Sequence, residues 1–165
     1  MTLTELNLQW RTEADTRQFA ARLAEQLSSF TSTDSLFIEL HGDLGAGKTT
    51  FVRHLLQAMG VAGRIKSPTY AIVEAYEDIP ANDQTSLNLW HFDFYRFNDP
   101  LEWEEAGFRD IFASKGIKIA EWPEKATAEL PLADIAILIV ANMDESRTLT
   151  VKAHTLAGQK IIAQI

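Results

Sequence analysis

Residues 35–60 read SLFIELHGDLGAGKTTFVRHLLQAMG. A short, mostly apolar strand (Ser35 to Leu40) runs into a glycine-rich loop, and a helix follows from near Lys48 to near Gly60. Within the loop, Gly42-Asp43-Leu44-Gly45-Ala46-Gly47-Lys48-Thr49 is a full match to the pattern G-x-x-x-x-G-K-[ST]. Glycines let the backbone curl until successive N–H groups point inward as an anion nest. The helix beginning at Lys48 adds the positive end of its dipole at the same place. Lys48 supplies a point charge for β- and γ-phosphates, and the Thr49 hydroxyl is suited to ligate Mg²⁺. The context required by this mechanism, a strand before the loop and a helix after it, is present.

Working outward, Leu3 to Gln9 alternates imperfectly and is expected to form an edge strand. Thr12 opens a helix, with Asp15 three residues on resembling a capping box, and Phe19, Leu23, Leu27 and Phe30 form one apolar stripe. Downstream, Tyr70–Glu77 and Leu87–Tyr95 are expected to pair as strands around a hairpin loop at Ile79–Ser86. Leu101–Ala106 reads as a short acidic helix stopped by Gly107. Gly116–Glu121, Ile135–Ala141 and Thr148–His154 read as strands, with a terminal helix after Gly158. A strand–loop–helix start followed by closely connected strands predicts an α/β fold: a single P-loop NTPase domain over residues 1–165, its mixed central β-sheet flanked by helices.

The bulk properties narrow the function. The chain has 165 residues, 46% of them hydrophobic, which suits one domain with a real core. It has no cysteine, so disulfides, thiolate metal sites and a cysteine nucleophile are excluded. The first residues lack a basic segment followed by an apolar run, and the longest apolar run, Ile135–Ala141, is far short of the roughly 20 residues that span a bilayer. A soluble, cytoplasmic protein with no membrane partner is expected. Its 23 acids outnumber 15 Lys and Arg for a net charge of −8, which argues against direct, unaided binding of nucleic acid and fits docking on a basic protein.

Two carboxylates compete for a metal-holding role. Glu121 closes the strand IKIAE, at the mouth of a parallel sheet. Asp93 lies in HFDFYR, residues 91–96, where strand alternation puts His91, Asp93 and Tyr95 on one face and Phe92, Phe94 and Arg96 on the other. In Ser67-Pro68-Thr69-Tyr70, Pro68 fixes the backbone beside a hydroxyl placed as a γ-phosphate sensor would be, though an ordinary turn into a strand reads the same. No arginine stands out as a finger, and Arg96 falls on the face opposite Asp93.

Guanine recognition would call for Asn-Lys-x-Asp after a late strand; Asn142-Met143-Asp144-Glu145 has Met for Lys and Glu for the final Asp. ATP follows by elimination. Besides an ATPase, two classes stay open: a small-molecule kinase, although no arginine-rich lid is visible, and a nucleotide-gated binding module.

GDLGAGKTT at 42–50, SPTY at 67–70, HFDFYR at 91–96, the acidic segment ending at Gly107 and AEWPEK at 120–125 occur in an order that resembles the TsaE (YjeE) family. That is the bacterial P-loop ATPase family of tRNA threonylcarbamoyladenosine (t6A) biosynthesis, and the likeness runs from about Phe37 to Pro123. The resemblance implies a Mg²⁺-dependent ATPase that turns ATP into ADP, working with the proteins TsaD and TsaB and meeting tRNA only through them. With no arginine finger in the chain, slow turnover alone and faster turnover in the complex are expected. By position it makes Gly42, Asp43, Leu44, Gly45, Ala46, Gly47, Lys48, Thr49 and Thr50 the nucleotide-binding set. Trp122 sits beside them, and an adenine pocket draws on the segment around Arg11 to Thr16. Thr49, Glu121 and Asp93 would surround the metal, and Lys48, Asp93, Glu121 and the switch residue Thr69 would be the catalytic set.

Overall fold

The computed structural model describes residues 4–68 and 70–165. The elements, in chain order, are β1 (Glu5–Trp10), α1 (Glu13–Leu27), β2 (Ser35–His41), α2 (Lys48–Ala58), β3 (Val73–Pro80), β4 (Ser86–Asp93), α3 (Pro100–Glu105), α4 (Phe108–Ala113), β5 (Gly116–Glu121), β6 (Ile135–Ala141), β7 (Arg147–Ala153) and α5 (Leu156–Ile162). A 3₁₀ turn at Pro123–Lys125 follows β5.

The described strands form one mixed sheet in the order β1-β7-β6-β2-β5-β4-β3. Its centre is parallel, with β6, β2, β5 and β4 side by side; β3, β7 and β1 join antiparallel. Parallel strands covered on both faces should be mostly apolar, and β2 and β5 are, with Glu39 and Lys118 as the charged exceptions within them. Leu36, Ile38 and Leu40 of β2 enter a core with α1, α2 and α5, while Phe37 faces the opposite way into a second core. The second core is aromatic: Phe92, Phe94, Phe97, Trp103 and Phe108 pack there under α3 and α4, with Phe92 stacked 5.4 Å from Phe94. The fold is therefore the expected α/β sandwich around a mixed sheet.

Several boundaries differ from expectation for local reasons. Helix α1 ends at Leu27, so Phe30 reaches the core from the turn beyond it. The expected capping box at Thr12 forms, the Asp15 carboxylate accepting from Arg11 N at 2.8 Å and Thr12 N at 3.2 Å. Strand β3 starts at Val73 rather than Tyr70, because Ile72 N donates to Pro68 O at 2.7 Å and closes a turn first. The hairpin strands run on to Pro80 and from Ser86, which shortens the loop between them. Gly107, in the left-handed conformation (φ 72°), stops α3 as expected, and it also caps a further helix, α4, that the sequence reading lacked. Helix α5 begins ahead of Gly158, on a cap in which Thr155 Oγ1 accepts from Gly158 N at 3.2 Å. Gly158 sits within the helix because a Cβ there would lie 2.3 Å from the Asp134 carbonyl oxygen.

Candidate functional site

The parallel register brings the carboxyl ends of β2, β5 and β4 together: Leu40 lies opposite Glu121, and Glu121 opposite Asp93. The glycine loop leaves β2 at this same edge and turns back into α2. Backbone topology thus places the two candidate acids beside the loop, as in α/β sheets that bind ligands outside the carboxyl ends of their strands.

Inside the loop, Lys48 is buried, and its Nζ donates to the carbonyl oxygens of Gly42 and, at 3.3 Å, Asp43. The same ammonium lies 4.0 Å from the centre of the Trp122 ring. Burial pulls the Lys48 pKa below its ordinary value, opposed by Glu121, Glu124, Asp93 and Asp43. Trp122 holds a left-handed backbone conformation (φ 55°) immediately after β5, and its ring meets Tyr95 at 5.0 Å. Such non-glycine outliers are seldom adopted without support from their surroundings.

Thr49 Oγ1, at the first turn of α2, donates to Glu121 at 2.9 Å (Oε1) and 3.1 Å (Oε2). His91 Nε2 contacts Glu121 Oε2 at 2.6 Å. Asp93 is 6% exposed; burial raises its pKa, and the 3.0 Å hydrogen bond from Tyr95 N to Oδ1 works in the opposite direction. Among the described residues no group of three or more His, Asp or Glu is arranged to hold a metal alone. A cation at Thr49, Glu121 and Asp93 would therefore share its ligands with bound phosphate and water, and the oxygen-only donor set suits Mg²⁺.

Two adjoining cavities open over the loop. One, of about 560 Å³, is lined by residues 44–50 together with Asp93, Tyr95, Arg96, Glu121, Trp122 and Arg147. The other, of about 220 Å³, is lined by Trp10, Arg11, Thr12, Glu13, Thr16 and Glu145, and shares Ala46, Gly47, Thr50 and Arg147 with the first. Lys48, Thr49, Thr50, Asp93, Glu121 and Trp122 are thus brought together as expected. Gly42 and Asp43 sit behind the cavity, where their carbonyls receive Lys48. The expected switch residue Thr69 lies outside the described residues.

The predicted faces of HFDFYR hold only as far as the strand does. His91 and Asp93 are buried, so their shared face is not a solvated one. Because β4 ends at Asp93 and the chain turns, Arg96 lines the larger cavity with Asp93 instead of facing away from it, and its guanidinium lies 4.7 Å from the centre of the Tyr70 ring. Arg147 had no signal in the sequence. It stands at the start of an ordinary alternating strand, yet it spans both cavities and donates from Nε to Ala46 O at 2.9 Å.

The mixed sheet and the glycine loop between β2 and α2 define the class: an α/β protein with a glycine-rich loop at the carboxyl ends of its parallel strands. The family described as "Threonylcarbamoyl adenosine biosynthesis protein TsaE" matches residues 10–149, and the chain belongs to that family. It is 40% identical over 146 residues to the tRNA threonylcarbamoyladenosine biosynthesis protein TsaE of Haemophilus influenzae, covering 88% of each chain. To the protein of the same name from Bacillus subtilis it is 32% identical, over 88% of this chain and 85% of the relative. The crystal structure of Bacillus subtilis YdiB superposes with a TM-score of 0.70 at 26% identity, over 99% of this chain and 94% of that one.

Proposed function

We propose that this protein binds ATP with Mg²⁺ on the Gly42–Thr49 loop and hydrolyses it to ADP and phosphate, as the ATPase component of the tRNA t6A-modifying machinery. The observation that carries the reading is the convergence of Lys48, the Thr49–Glu121 pair and Asp93 at one sheet edge, beneath a cavity continuous with a second, smaller one. The larger cavity accommodates a polyphosphate; the smaller, lined by Arg11, Thr12, Glu13 and Thr16, takes the adenosine end.

Loop N–H groups and the α2 terminus hold the phosphates. Lys48 exchanges the carbonyls of Gly42 and Asp43 for phosphate oxygens. The Thr49 hydroxyl and the Glu121 and Asp93 carboxylates are the ligands offered to Mg²⁺, which when bound neutralises charge on the β- and γ-phosphates. Tyr95 N fixes one oxygen of Asp93. The other accepts a hydrogen bond from the attacking water and sets it in line. The water oxygen bonds to the γ-phosphorus as the bond to the β–γ bridging oxygen breaks; ADP leaves, and the proton of water ends on phosphate.

Turnover is slow in the isolated protein. Arg96 is stacked on Tyr70, and Arg147 is engaged by the carbonyls of Ala46 and Glu145, so neither is committed to a γ-phosphate. Partners of the TsaD and TsaB type complete the site, and tRNA is met through them. The net charge of −8 supports contact with basic protein surface over direct tRNA binding.

Phosphate release from ATP, measured for the protein alone and with a TsaD–TsaB pair, tests this reading, with Lys48→Ala as the blank. Lys48-dependent release that rises with the pair is the expected result. Release indifferent to the pair would break the pathway assignment, and normal release by Lys48→Ala would end the P-loop reading.

A further inference from the structure

His91 is 1% exposed and lies on β4, two residues before Asp93 and opposite Ile119 of the neighbouring strand β5, so that Glu121 stands on its diagonal. Its Nε2 is 2.6 Å from Glu121 Oε2. Both oxygens of that carboxylate already accept from the Thr49 hydroxyl, at 2.9 and 3.1 Å. An ionised carboxylate only accepts, so the imidazole carries its hydrogen on Nε2 and donates it. Nδ1 is then a buried acceptor, and it has no hydrogen-bond partner among the described residues. Buried polar atoms are nearly always paired, and those that are not call for an explanation. A leucine or phenylalanine at this position, between the apolar residues of the first core, would leave no such orphan.

We infer that His91 is the positioning residue of the metal-holding carboxylate: its Nε2–H fixes the rotamer and plane of Glu121, and through it the register between Glu121 and Thr49. This rests on the nucleotide–Mg²⁺ reading above. Thr49 cannot do the work alone. Its one hydroxyl hydrogen is shared between the two carboxylate oxygens, at 2.9 and 3.1 Å, and leaves the carboxylate free to turn about it. The imidazole N–H, from β4, is a second and independent restraint on Oε2. Hydrogen bonds behind metal ligands orient them in this way, and their loss costs about 10- to 100-fold in metal affinity or activity.

Replacing His91 by Gln, Asn and Phe separates positioning from packing. The Gln amide reaches nearly as far as Nε2, the shorter Asn amide reaches only the Nδ1 position, and Phe keeps the ring without a donor. Binding of a fluorescent ATP analogue to the full chain is measured first without metal, then as a function of Mg²⁺. All three variants should bind the metal-free nucleotide like the natural protein, which also reports an intact fold. The Mg²⁺ concentration at half-effect should rise about 10-fold or more in His91→Phe and His91→Asn, and return to within about 3-fold in His91→Gln. Phe and Asn variants that titrate with Mg²⁺ like the natural protein would overturn the inference. So would a Gln variant no better than Phe, or a loss of metal-free nucleotide binding in all three, which marks a packing role. Failure of the underlying reading shows elsewhere: the unsubstituted protein would bind no nucleotide or respond to no Mg²⁺.

Discussion

Gly42 and Gly45 open and centre the same loop, yet Ala should be tolerated very differently at the two. Gly42 has φ 151°, and a Cβ there would stand 2.6 Å from the carbonyl oxygen of Ile139 and 3.1 Å from the Ala46 Cβ. The 2.6 Å contact is with backbone of β6, which cannot rotate away. Gly45 has φ 81° and nothing within 4 Å of a Cβ. Gly45→Ala therefore carries only the left-handed penalty, about 1 kcal/mol. Gly42→Ala adds a backbone penalty of about 2 kcal/mol to an overlap of about 2 kcal/mol, near ~4 kcal/mol in total. With a urea m-value of about 2 kcal/mol/M, the unfolding midpoint should fall by roughly 2 M for Gly42→Ala and by about 0.5 M for Gly45→Ala. Because Gly42 O also receives Lys48, nucleotide affinity should drop in the same variant. Equal midpoints for the two variants would refute the claim that the loop is braced against β6.

Three further outcomes are expected. Lys118 is 2% exposed, and burial lowers its pKa from 10.5 to about 8. Between these values the unfolded chain holds a proton that the folded one has lost, so stability should rise with pH across that window by at most about 3 kcal/mol; Lys118→Met should remove that part of the slope, as read by urea melts at stepped pH. Arg147→Ala removes the hydrogen bond to Ala46 O and a wall common to both cavities, and should weaken nucleotide binding about 10-fold, roughly 1.4 kcal/mol, by fluorescence titration. Arg147→Lys should not restore it, since a point charge lacks the planar fork. Asp134 accepts from Phe37 N at 2.8 Å and from Thr155 Oγ1 at 2.7 Å, tying β2 to the start of α5. Asp134→Ala leaves a part-buried N–H unpaired and should cost about 2 kcal/mol, a drop in Tm of roughly 4–8 °C, and an unchanged Tm would count against that tie.

Gly116–Glu121 and Ile135–Ala141 were legible to the residue: the second is an uninterrupted apolar run, and the first is broken only by Lys118 before it closes on Glu121. The loop was legible because its chemistry is local. What escaped was set by contacts distant in sequence or by where a strand stops. Arg96 was assigned to the wrong side because alternation was carried past Asp93, where the Asp93–Tyr95 hydrogen bond turns the chain. Arg147 is 101 residues from the carbonyl it grips, and no pattern within β7 marks it. His91 carried a hint, sharing a face with Asp93, but its partner Glu121 is on the neighbouring strand, two residues beyond the Ile119 that the register sets opposite His91, and only the side-chain contact joins them.

The ground state of Lys48 joins these observations. Its ammonium is desolvated, which lowers its pKa, and four carboxylates oppose that shift without cancelling it. Its Nζ donates to the carbonyls of Gly42 and Asp43 and lies over the Trp122 ring. The lysine therefore closes the loop on itself, and the anion nest is already curled before a ligand arrives. Binding must break those contacts, so the measured affinity is the difference between the phosphate bonds formed and the loop bonds lost. The compensation is a site whose loop needs no ordering at the moment of association. Trp122, held in its left-handed turn between Glu121 and Pro123, connects the two halves of this exchange. A phosphate that draws Lys48 away uncovers the indole face, beside the carboxylate that Thr49 and His91 hold.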